Sequence, residues 1–129
     1  MPYAERTHVP VERSRQEIER AVTKRGAKGF MSGYHGKVAR IEFLIADRHI
    51  RISVTVPDRA PAARQKWRAL LLVVKAKFES IDAGIATTEE AFFSDIVLPE
   101  TGKTVWETAR EPLKLAYEGK TVQLLGYGP

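Results

Sequence analysis

The chain has 129 residues, 43% of them hydrophobic, and a net charge of +5 from 21 Lys and Arg against 16 Asp and Glu. That length suffices for one domain with its own core, and no stretch reaches the roughly 20 apolar residues of a membrane span. The absence of Cys excludes disulfides, thiolate zinc sites and Cys nucleophiles. The basic balance favours an anionic partner, nucleic acid first. The opening Met-Pro-Tyr-Ala-Glu-Arg lacks the apolar run of a secretory signal, which suits a cytoplasmic protein.

Residues 1–10, with Pro2, His8 and Pro10, read as an irregular arm. Ser14-Arg-Gln-Glu17 has the spacing of a capping box, so the first helix is expected to open at Ser14. Ile18, Ala21 and Val22 give it a narrow apolar edge, and Gly26 should stop it. The period then changes from 3.6 to 2. Phe30 to Tyr34 reads as a short strand, turned by His35-Gly36. Ala39, Ile41, Phe43 and Ile45 alternate with Arg40 and Glu42. After a turn at Asp47-Arg48, Ile50, Ile52, Val54 and Val56 alternate with Arg51, Ser53 and Thr55. The result is a three-stranded antiparallel meander with one apolar face that needs a cover.

The cover is the stretch from Asp58 to Gly84. Trp67, Leu70, Leu71, Val74, Phe78 and Ile81 share one helical face. Asp58 fits the N-cap, Pro61 the first turn and Gly84 the left-handed C-cap. A second capping box, Thr87 to Glu90, opens a short helix carrying Phe92, Phe93, Ile96 and Val97 and ended by Pro99. A third, Thr104 to Glu107, opens a helix with Trp106, Ala109, Leu113 and Ala116, which Pro112 should kink or split and Gly119 should end. Thr121 to Leu125 allows an extended segment, within a tail over residues 120–129. The fold class expected is α+β, a single domain over residues 1–129 in α-β-β-β-α order with short helices after it.

Catalytic signatures are weak. Gly102-Lys103-Thr104 matches the end of a P-loop, but Val97 stands where the loop's first Gly belongs. It reads as a turn feeding a capped helix. His8, His35 and His49 lack metal-ligand spacing. No Ser-His-Asp arrangement is visible, and Glu42 reads as a solubilising charge on the polar sheet face. A non-enzymatic protein without metal or cofactor follows as the expectation.

The remaining signal is distributed and basic. Arg64, Arg68 and Lys75 form one stripe of the central helix, and Lys66 and Lys77 flank its other edge. Arg40 and Arg51 decorate the polar sheet face. Such an array suits phosphates, which need charge and donors rather than base-reading geometry. The solvated flanks of any helix account for the same residues. Arg40, Arg51, Arg64, Arg68 and Lys75 are the candidate nucleic-acid-binding residues.

The α-β-β-β-α order, with the His35-Gly36 turn and with Arg64, Lys66 and Arg68 near the next helix start, resembles the double-stranded RNA-binding domain over about residues 14–83. It departs where that family opens its second helix with a Lys-Lys-x-x-Lys-type cluster, since Ala60-Pro-Ala-Ala63 stands there. Over most of its length the chain also resembles a group of small phage and prophage proteins. The segments that carry this are Glu17 to Ala27, Trp67 to Lys77, Gly84 to Thr87 and Ile96 to Pro99. That resemblance implies a mobile-element protein inside a bacterial host cell. Two classes of function remain: a nucleic-acid-binding accessory, and a protein-binding effector such as an inhibitor of a bacterial defence system docking on a protein or protein–RNA complex. Phe92, Phe93, Trp106 and Leu113 are expected either to cover the central helix or to form a homodimer interface.

Overall fold

The computed structural model describes residues 10–124. The described chain is α+β: α1 (Val11–Lys24), β1 (Lys28–His35), β2 (Val38–Ile45), β3 (Arg48–Thr55), α2 (Ala60–Asp82), α3 (Thr88–Ala91), a 3-10 turn (Phe93–Asp95) and α4 (Val105–Tyr117). The sheet is an antiparallel meander in the order β1-β2-β3. Its two hairpins are tight, with His35 opposite Val38 and Ile45 opposite Arg48. Gly36 turns the first at φ +61°. Ala46 and Asp47 turn the second at φ 50° and 60°. Two positive φ angles suit the right-handed twist of paired strands. The second turn therefore falls one residue before the Asp47-Arg48 expected, and Arg48 already belongs to β3.

The alternation sorts the sheet into two faces. Ala39, Ile41, Phe43, Ile45, Ile50 and Ile52 are buried, while Leu44, Arg48, Ser53 and Thr55 are exposed. Two helices cover the apolar face. Ile18 and Val22 of α1 and Trp67, Leu70, Leu71, Val74 and Phe78 of α2 join it in one core. At about 25 cal/mol per Å² of apolar surface removed from water, these side chains dominate the stability of the fold. Trp67 is 1% exposed, and its indole N–H is satisfied at 2.7 Å by the Tyr34 hydroxyl.

The start of α1 differs from the sequence expectation. The helix opens one turn earlier, at Val11, behind Pro10. The Ser14 N–H donates inside the helix to the Pro10 carbonyl at 3.2 Å, so Ser14 cannot cap. Val11 packs against the core, and that contact extends the helix by a turn. Ser14 lies fully buried with its hydroxyl unpartnered among the described residues, and Glu17 points to Arg68 instead of back to a cap. The C-terminus follows expectation, with Gly26 at φ +91°.

At the start of α2 the N-cap is Arg59, without a side-chain cap. Asp58 lies one residue too early and pairs with Lys37 at 3.5 Å instead. Pro61 sits in the first turn as expected. Gly84, at φ +73°, closes the helix, and the Ile85 N–H reaches back to the Ser80 carbonyl at 2.9 Å.

The capping boxes at Thr87–Glu90 and Thr104–Glu107 both form. The short helix between them stops sooner than expected. After the 3-10 turn, Ile96 and Val97 are not helical. Ile96 bridges Ile50, and the Val97 N–H donates to the His49 carbonyl at 2.8 Å. The unpaired edge of β3 offers these β-branched residues a ladder that a short helix cannot match. Helix α4 runs unsplit through Pro112 and ends before Gly119 at φ +82°. No strand forms over residues 121–124. The arm before Pro10, with His8, and the tail from Leu125 onward lie outside the described residues.

The C-terminal aromatics divide. Phe92 is fully buried, edge-on to Phe43 at 5.8 Å and to Phe78 at 5.5 Å. Phe93, Trp106 and Leu113 stay exposed.

Candidate nucleic-acid interface

The helix pair and the sheet divide the five candidate cations between opposite sides of the molecule. Arg40 and Arg51 project from the open sheet face. Arg64, Arg68 and Lys75 lie on α2, which covers the other face. The five form no continuous surface.

Most of them are already engaged. The Arg40 Nε donates to Ser53 Oγ, its cross-strand neighbour, at 3.3 Å. The Arg51 Nη2 donates to the Gly102 carbonyl at 2.8 Å and to Glu107 Oε1 at 3.0 Å. Its side chain is only 14% exposed. It clasps the turn before α4 to the sheet. Glu107 is held below the ordinary carboxylate range, first by the Thr104 backbone N–H that it caps and further by Arg51, with burial opposing. Arg68 pairs with Glu17 across the helix interface and is equally buried. Arg64 makes no ion pair among the described residues, and its Nε is buried. Lys75 is exposed.

Lys75 instead joins cations of α1. Helices α1 and α2 leave between them a groove of about 460 Å³, lined by Arg20, Lys24, Arg25 and Lys75 together with Glu17, Glu79, Ala21 and Phe78. Four cations face two carboxylates there. Glu17 is occupied by Arg68 and, at 3.8 Å, by Arg13. Arg25 lies over the Phe78 ring at 5.0 Å and pairs with Asp82 at 2.5 Å. Arg20, Lys24 and Lys75 make no ion pair among the described residues, so their charge faces solvent. Arg20 and Lys24 stand one helical turn, about 6 Å, apart. The spacing suits successive oxyanions along a polymer. The single aromatic ring in the groove, Phe78, is 4% exposed and offers no stacking platform for a base.

Arg20 and Lys24 read in sequence as the solvated side of a surface helix. Their i, i+4 spacing was the available signal. Which flank of α2 faces α1 depends on packing, which the sequence pattern leaves open. Lys77, on the other flank, turns away from any ligand: it donates to the Ala91 carbonyl at 2.9 Å and approaches Asp95 at 3.8 Å.

Other candidate groups fall elsewhere. His49 Nε2 and Glu42 Oε1 lie 2.7 Å apart on the open sheet face, so Glu42 is partnered and not simply a solubilising charge. His35 is exposed beside the first hairpin. Among the described residues no group of three His, Asp or Glu comes together as a metal cage. Gly102 to Thr104 forms a tight turn, with the Leu98 N–H donating to the Lys103 carbonyl at 2.8 Å, and Thr104 caps α4. That triplet serves the local chain. No helix is long and apolar enough to cross a membrane among the described residues. No protein-family model, curated protein or solved structure matches this chain.

Proposed function

We propose that this chain is a small non-enzymatic phage or prophage accessory protein that binds nucleic acid in the cytoplasm of a bacterial host, through the groove between α1 and α2. The observation that carries this reading is the trio Arg20, Lys24 and Lys75, uncommitted to any described carboxylate and aligned along one concavity. Backbone phosphates are the chemistry that such a trio recognises, and the want of an exposed ring or base-reading amide in the groove favours binding with little sequence preference.

Fluorescence anisotropy with single- and double-stranded DNA and RNA tests it. Each phosphate contact adds about 0.9 to the slope of log K against log salt on duplex DNA. Arg20→Ala, Lys24→Ala and Lys75→Ala combined should flatten that slope by roughly two to three units, at nearly unchanged melting temperature. Arg40→Ala should leave it unaltered. A dissociation constant weaker than about 100 μM for every nucleic acid overturns the reading.

The protein-binding effector remains as a second reading because large apolar side chains stay bare. Trp106, Leu72 and Val73 are 54%, 39% and 48% exposed.

A further inference from the structure

Helices α1 and α2 run in the same direction. Helix α1 turns back into β1, β3 turns back into α2, and β1 and β3 both pair antiparallel to β2. The side-chain contacts agree: Glu17 meets Arg68 and, about two turns further along, Arg25 meets Asp82. The two N-termini therefore share one end of the molecule, and both helix dipoles turn their positive ends there. Neither N-terminus has a side-chain cap. Pro10 precedes α1 and Arg59 precedes α2, and no acidic residue stands in the first turn of α2.

Ser14 is set into this end. It lies one turn before Ile18 and on the edge that brings Glu17 to Arg68, so α2 presents Arg64, one turn before Arg68, across from it. Ser14 has no exposed surface, and its Oγ is unpartnered among the described residues. A helical serine ordinarily returns its hydroxyl to the carbonyl four residues back. Here the Pro10 carbonyl accepts instead from the Arg13 and Ser14 N–H groups, at 3.1 and 3.2 Å. The Cα–Cβ bond of a helical residue tilts toward the N-terminus, which aims the hydroxyl at the shared end. The Arg64 Nε is buried there too, likewise without a partner among the described residues. Buried donors are nearly always paired, so two orphans on facing helices call for a common acceptor.

The charges say which acceptor. Each described carboxylate near this end is already committed: Glu12 to Arg15 at 2.6 Å, Glu17 to Arg68, and Asp58 to Lys37 at 3.5 Å. Arg59 and Arg64 make no ion pair among the described residues, and Arg13 reaches Glu17 only at 3.8 Å. A water would satisfy the two donors but would leave the arginines and both dipoles unbalanced. We propose that the joint N-terminal end of α1 and α2 binds a phosphate group, with Ser14 and Arg64 donating from inside and Arg59 supplying charge at the rim. A phosphate brings up to two negative charges and several acceptor oxygens to one point, which a carboxylate does not. The site lies past the Glu17 end of the groove and does not depend on the groove's reading. The group comes either from the end of a nucleic-acid strand or from free phosphate.

Thermal unfolding of the intact chain in inorganic phosphate, against chloride at equal ionic strength, tests it. Phosphate should raise the melting temperature saturably, by at least about 2 °C. Phosphate also strengthens any fold by exclusion from its surface, so the difference between variants is what counts. Arg59→Gln with Arg64→Gln should abolish the saturable rise, and Arg59→Gln alone, at an exposed position, serves if the pair fails to fold. Ser14→Ala should keep the melting temperature in chloride and lose at least about half of the rise. Arg20→Ala with Lys24→Ala should leave the rise intact, which separates this site from the groove. No saturable rise, or a rise of equal size in the Ser14 and Arg59 variants, overturns the proposal. Oligonucleotides with a 5′-phosphate and with a 5′-hydroxyl then tell the sources apart. Binding at least about threefold tighter with the phosphate assigns the site to a strand end, and equal binding beside an intact phosphate rise assigns it to free phosphate.

Discussion

Phe92→Ala should be among the most damaging single changes in this chain, and Phe93→Ala, one residue on, nearly silent. Phe92 has no exposed surface and meets two rings edge-on, Phe43 at 5.8 Å and Phe78 at 5.5 Å. Truncating a buried Phe to Ala costs about 3–5 kcal/mol in transfer and cavity terms. Each aromatic pair adds about 0.5–1.5 kcal/mol beyond area alone, which places this site at the upper end. Phe43 and Phe78 come from β2 and α2, so the cavity opens between sheet and helix, where neither layer collapses easily. Domains of this size have about 5–15 kcal/mol in total, so a large fraction would go. Phe93 is 49% exposed, and its removal should cost under about 1 kcal/mol. Urea denaturation of both variants, followed by circular dichroism, measures the difference. A Phe92→Ala cost below about 1 kcal/mol, or equal costs for the two variants, refutes the packing argument.

Leu71, fully buried between sheet and helix, should cost about 2–5 kcal/mol as Leu71→Ala in the same assay. Thr104→Ala removes an N-cap that accepts the Glu107 N–H at 3.1 Å, and about 1 kcal/mol is expected. The Glu107 carboxyl is depressed in the fold, so its contribution is present above the unfolded pKa and lost as pH falls through the folded one. An acid titration of stability should therefore flatten in Glu107→Gln. Asp95 runs the other way. Burial raises it, against the pull of Lys77, so the stability attached to its protonated form is lost as pH rises through the folded value. Asp95→Asn should remove that loss.

The fold was readable wherever one period ran long enough. Ile41, Phe43 and Ile45 keep a period of two despite Leu44 on the other face, Ile50 to Val54 alternate with Arg51 and Ser53, and Trp67 to Phe78 recur at helical spacing, so sheet, helix and their contact face follow from side-chain direction. The errors sit where a tertiary contact outweighed a local rule. Ser14 with Glu17 satisfies the capping pattern, but Val11 has a core to reach, and Arg68 takes the carboxylate. Ile96 and Val97 continue an apolar helical stripe, but β3 presents an open ladder. The candidate site was less readable. A cation on a helix flank looks the same whether it meets solvent, a carboxylate or a groove. Arg68 and Arg51 are spent on Glu17 and Glu107, and those partners lie 51 and 56 residues away.

The short pairing of Ile96 and Val97 with β3 also bears on how much of this sheet's edge a neighbouring molecule could add to. A three-stranded sheet has two rims, and each is a template for a stray strand. One rim is capped at its start by the chain's own later segment, with the Val97 N–H on the His49 carbonyl, Ile96 bridging Ile50 and Arg51 holding the turn that follows. The other, β1, has no strand beside it among the described residues, and it is spoiled. Its register slips between Lys28 and Met31, Gly29 stands at φ +64°, and Lys28 places a charge at the start. An incoming strand finds regular geometry only from Met31 to His35, about half a typical partner's need once the hairpin end is discounted. Ending the chain after Asp95 would bare the start of β3 as well, around His49 and Ile50, and give a stray strand a longer run of unpaired backbone to add to.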